Sequence, residues 1–121
     1  GAIAYYFASK GVPQGLTHAI AGMKCLEMNF KKGFYEYVEL YELIKNKKDI
    51  KLRNNKEKCK IFILALKKLF KINRINLDEF NLKKDNNEII NFFPKIYSKN
   101  YLNNPIQVGK PDLIKLINSI V

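Results

Sequence analysis

Histidine occurs once, at His18, and cysteine only twice, at Cys25 and Cys59. With no CxxC pair and no second histidine, the ligands for a zinc site are missing. The two thiols fall inside periodic apolar segments, not in a turn-rich secreted framework. They read as buried free cysteines, with a disulfide unforced but still open. Long apolar runs are lacking too. The run Ile61 to Leu66 ends at Lys67 and Lys68, and no run approaches the roughly 18 residues that span a bilayer, so no transmembrane segment is expected.

Walker, GxSxG, HExxH, Rossmann and EF-hand patterns are all absent, so no cofactor is assigned and a non-enzymatic chain is the expectation. The chain opens Gly-Ala-Ile-Ala without Met, which reads as an upstream piece removed, an excised domain or a cloning remnant, and the opening lacks the basic stretch of a signal peptide. The expected location is intracellular, the cytoplasm first, with an organelle also open.

What is present argues for folding. The 121 residues are the size of one domain, which can bury roughly 65% of its unfolded surface unaided. Apolar residues make up 47% of the chain, with eight Phe and seven Tyr, which excludes wholesale disorder. A single helical domain over 1–121 is the expectation.

The net charge of +11 has a compositional explanation as well as a functional one, because Lys, Asn and Ile are all abundant, as in an A/T-rich genome. The layout of the charge separates the two. Gly1 to Ile44 carries four Lys against four Glu and is neutral; Lys45 to Ile75 carries twelve basic residues against Asp49 and Glu57; Asn76 to Val121 carries six Lys against five acids. Nearly all the excess therefore lies in one segment, which genomic bias alone does not explain.

The order of signals predicts about five helices. Ala2 to Ser9 is a short apolar piece closed by Lys10-Gly11. Pro13 suits the first turn of a helix reaching Phe30, with Leu16, Ala19, Ile20, Met23 and Leu26 in period. After Gly33, the residues Phe34, Tyr37, Val38, Tyr41 and Ile44 recur at threes and fours. The tight connection Lys31-Lys32-Gly33 predicts a helical hairpin from Pro13 to Asn46, packed against a helix from Lys56 to Ile72. Asn54 or Asn55 is placed to cap that helix, Asn76 a short turn at Leu77 to Phe80, and Asp85 or Asn86 a helix from Glu88 towards Pro94. Tyr97 to Lys110 reads as a surface loop and Pro111 as the start of a terminal helix.

On a helical wheel at about 100° per residue, Lys56, Lys60, Lys67 and Lys71 gather within roughly 60°, with Lys68 nearby. Cys59, Phe62, Ile63, Ala65, Leu66, Leu69, Phe70 and Ile72 form the opposite, core-facing arc, and Lys58 and Leu64 are the exceptions. A solvated core helix accounts for this pattern. So does a basic binding face extended by Lys45, Lys47, Lys48, Lys51, Arg53 and Arg74. Only Arg53 and Arg74 are Arg among the 22 basic residues. Lysine acts as a point charge without the bidentate fork of Arg, so any nucleic acid would be held through phosphates and in a salt-sensitive way. Base stacking would need exposed aromatics beside the lysines. Phe62 and Phe70 fall on the buried arc, which leaves Tyr97 and Tyr101.

Gly15, Ala19 and Gly22 share a face that reads as a close helix contact. His18 is a candidate general base by residue type, but no motif gives it a nucleophile or a carboxylate. Glu36, Glu39 and Glu42 read as a solvated ridge able to pair with the lysine-rich segment. The stretch GMKCLEMNF, Gly22 to Phe30, resembles the end of the second helix of a tetratricopeptide repeat. The likeness covers about a dozen residues, and the family's upstream glycine and small-residue spacing is out of register, so no membership is read from it.

The functional expectation is a non-enzymatic binding or scaffold module presenting residues 45–74 to an acidic protein partner or larger assembly, its oligomeric state open. An RNA-binding or ribosome-associated protein is the alternative, and a small basic toxin-like ribonuclease a second.

Overall fold

The computed structural model describes residues 2–44, 53–92 and 104–120. It is all-helical among these residues, with six α-helices: α1 (Ala2–Ala8), α2 (Gln14–Lys31), α3 (Val38–Ile44), α4 (Asn55–Ile72), α5 (Asn86–Phe92) and α6 (Lys110–Ile120), plus a 3₁₀ turn at Asp78–Phe80.

The ends of these helices follow from local side-chain chemistry. Asn54 accepts a hydrogen bond from the Glu57 backbone N–H at 2.8 Å and opens α4. Asn76 accepts from the Asp78 N–H at 3.1 Å and Asp85 from the Glu88 N–H at 3.0 Å, each satisfying a donor that the following helix leaves without a partner. At α6 the Asp112 carboxylate reaches back to the Gly109 N–H at 3.0 Å. Helix α2 ends where Phe34 N–H bonds Asn29 carbonyl and Gly33 N–H bonds Phe30 carbonyl, with Gly33 at φ +93°. That left-handed turn delays α3 to Val38, four residues later than the apolar period predicts, and Phe34 and Tyr37 stack edge to face in the connection.

The largest core is built elsewhere than on the basic helix. Ile3, Tyr6 and Phe7 of α1 pack with Ile20 and Ala21 of α2 and with Leu113, Leu116 and Ile117 of α6, while Ile89 of α5 closes one side. The seven residues of α1 are thus central to the fold. Tyr41 of α3 and Cys59 and Ile63 of α4 are buried as well. Both α2 and α3 pack on α4, so the unit predicted from Pro13 to Asn46 is held together largely through α4.

The late segment differs from its predicted role as a surface loop. Val108 is buried in the core, and the Asn104 amide bonds Asn29. Lys110 begins α6. Residues 93–103, including Tyr97 and Tyr101, lie outside the described residues. The face formed by Gly15, Ala19 and Gly22 also departs from its reading as a packed seam. Gly15 and Gly22 are exposed, and nothing lies within 4 Å of where a Cβ would sit on either.

Candidate binding face

Helix α4 meets α2 and α3 along only part of its apolar arc. Cys59 and Ile63 are buried, and Phe62, Leu66 and Phe70 are half-buried beside them. Ala65, Leu69 and Ile72, expected to face the core, instead lie on the solvent side, with Leu69 54% and Ile72 67% exposed. The reason is angular. The apolar arc from Ile61 round to Ile63 spans roughly 200°, about twice the stripe that one core contact needs. The neighbouring helices cover the half that contains Cys59. Leu64, 54% exposed, extends the uncovered side.

The lysines divide into two groups. Lys58 is buried, its aliphatic stem covered and its ammonium 3.6 Å from the Glu42 carboxylate on α3. Lys67 is half-buried and donates to Glu27 on α2 at 2.8 Å; Lys31 meets the same carboxylate at 3.2 Å. Burial draws the Glu27 carboxyl upward, but the hydrogen bonds from Lys67 and Lys31 outweigh it and hold the group below its ordinary range. Lys67, predicted as part of the outer face, is therefore engaged in joining α4 to α2.

Lys56, Lys60, Lys68 and Lys71 are not drawn into ion pairs among the described residues, and all four are exposed. Lys56 sits over the Tyr35 ring at 6.0 Å. Arg53 precedes the helix and Arg74 follows it, both exposed. Arg74 occupies the left-handed position at φ 53° that ends α4, with the next N–H, of Ile75, bonding the Phe70 carbonyl at 2.9 Å. Lys45, Lys47, Lys48 and Lys51 lie outside the described residues.

Other chemistry-bearing groups are occupied locally. His18 is exposed, with Nδ1 donating to the Gln14 carbonyl at 2.8 Å on its own helix. The Cys59 thiol donates to the Tyr35 carbonyl at 2.9 Å; burial pushes its pKa and that of Cys25 up, which keeps both thiols neutral. Neither is disulfide-bonded. Among the described residues no three His, Cys, Asp or Glu side chains converge to hold a metal, and no helix is long and apolar enough to cross a membrane.

A groove of about 230 Å³ lies between α2 and α6. Lys24, Lys31, Lys32 and Lys115 line it together with Glu27 and Asp112, but Glu27 is taken by Lys31 and Lys67, and Asp112 by Lys32 at 3.0 Å. These residues belong to helices far apart in the chain, and no spacing in the sequence signals them. No protein-family model, curated protein or solved structure matches this chain.

Proposed function

We propose that this chain is a non-enzymatic helical binding module whose lysine-rich face on α4 meets an acidic protein partner. One observation carries the reading: within a single helix, Lys58 and Lys67 are matched to carboxylates of the same molecule, whereas Lys60, Lys68 and Lys71 stand exposed and unmatched among the described residues. Cations that serve the fold are neutralised by it. Those left over give a positive field that steers and selects an oppositely charged surface, an effect larger for association rate and specificity than for raw affinity.

The test is affinity capture from the native source with the wild-type chain and with the triple variant Lys60→Glu, Lys68→Glu, Lys71→Glu. Proteins with acidic surfaces captured by the first and lost with the second support the reading. Capture abolished by ribonuclease treatment replaces it with the RNA-binding alternative, whose signature is generic RNA affinity that collapses between low and moderate salt.

A further inference from the structure

The cations of α4 border an apolar surface that electrostatics alone does not explain. Leu64, Ala65, Leu69 and Ile72 follow one another along the solvent side of the helix, with the half-buried Ile61 at their edge and Leu64, Leu69 and Ile72 each more than half exposed. From Ile61 to Ile72 the stripe runs about 16 Å, or three helical turns. Single exposed aliphatics are ordinary on protein surfaces, whereas a contiguous row rimmed by charge marks an interaction site. Lys60 and Lys71 flank the row on one side and Lys68 lies within it.

We propose that the occupant of this surface is an amphipathic helix with an acidic flank, lying along α4 with its aliphatic side chains on Leu64, Leu69 and Ile72 and its carboxylates against Lys60, Lys68 and Lys71. This rests on the acidic-partner reading above and gives it a shape. Charge complementarity selects this occupant over the others. A second copy docked stripe to stripe would bring two sets of unmatched lysines into one interface. An RNA would attract the lysines but offers no aliphatic surface to cover the stripe, and an anionic membrane is told apart from a helix by the vesicle arm of the test below. A helix supplies apolar anchors at three- and four-residue spacing, matching a stripe that is itself helical.

The probe is a labelled synthetic helix of about 14 residues, long enough to cover three turns, with Leu at core spacing and Glu beside it. A scrambled peptide of identical composition, single-stranded RNA and anionic phospholipid vesicles are titrated in parallel at about 150 mM salt, where exposed charges are screened beyond about 8 Å. The ordered peptide is expected to bind at least tenfold tighter than the scrambled one. Leu64→Ser with Leu69→Ser and Ile72→Ser should erase that difference, and Ile72→Ser alone should reduce it. Melting curves for both variants should match the wild type, because the replaced side chains face solvent. Equal binding of the two peptides, unaffected by the serine variants, overturns the helical docking while leaving an acidic partner in place. Binding of RNA or vesicles without either peptide overturns both readings. Loss of the fold on Ile72→Ser shows that the stripe is structural and overturns the docking as well.

Discussion

The Lys67 ammonium lies 2.8 Å from the Glu27 carboxylate and ties the middle of α4 to α2. Its sequence neighbour Lys68 is exposed and makes no ion pair among the described residues. Lys67→Ala is therefore expected to destabilise the chain by about 1 kcal/mol, a value kept small because the lysine is partly solvated. Lys68→Ala should stay within about 0.5 kcal/mol of wild type. Urea unfolding midpoints of the two variants measure the contrast.

Acid stability depends on the same carboxylate. The folded-state pKa of Glu27 is held below its ordinary value, so its charged form stabilises the fold above the unfolded pKa, about 4.3. That contribution disappears as pH falls through the lower, folded-state value. Asp112 is held low by its bonds to the Gly109 N–H and Lys32, and acts in the same direction. Stability should thus drop below about pH 4, and Glu27→Gln should be less stable at neutral pH with a shallower acid limb. Unfolding free energies followed from neutral to acid pH decide this. A Glu27→Gln chain whose acid limb is as steep as wild type would show that the Lys67 and Lys31 contacts do not control the titration.

Asn29 and Asn104 exchange amide hydrogen bonds at 2.7 and 2.9 Å, and Asn29 also donates to the Tyr37 hydroxyl at 2.7 Å. Asn29 is buried, so its replacement leaves polar partners without a bond inside the protein. Asn29→Leu is expected to cost about 1–3 kcal/mol despite being nearly isosteric. Calorimetric melting of this variant is the measurement.

Two helix ends share one geometry but differ in sequence. Gly33 ends α2 at φ +93° and Arg74 ends α4 at φ 53°. Gly33→Ala should destabilise by about 1 kcal/mol, and Arg74→Gly should stabilise by a similar amount, because only glycine enters that region without steric cost. Opposite shifts in melting temperature confirm the pair.

These contrasts also show where the sequence was informative. Asn54, Asn76 and Asp85 each cap a helix or turn where a short polar side chain preceded an apolar period, and Gly33 announced the end of α2. Each of those signals is local. Arg74 carried no glycine to mark its turn. The ion pairs Lys58–Glu42 and Lys67–Glu27 join helices at no fixed spacing, so the lysines that serve the fold could not be sorted in advance from those that do not. The orientation of α4 was hidden for a related reason: its apolar arc is wider than any one contact, and only its neighbours decide which half is covered. Asn104 and Val108 sit among turn residues, whose polarity concealed a core contribution.

The docking surface can be read directly by titrating isotopically labelled protein with the acidic amphipathic peptide and following backbone amide shifts. Shifts are expected to cluster at Lys60, Ile61, Leu64, Ala65, Lys68, Leu69 and Ile72 of α4, with the groove residues Lys24 and Lys115 unmoved. Shifts centred on that groove, or scattered over the surface without the α4 stripe, contradict the docking.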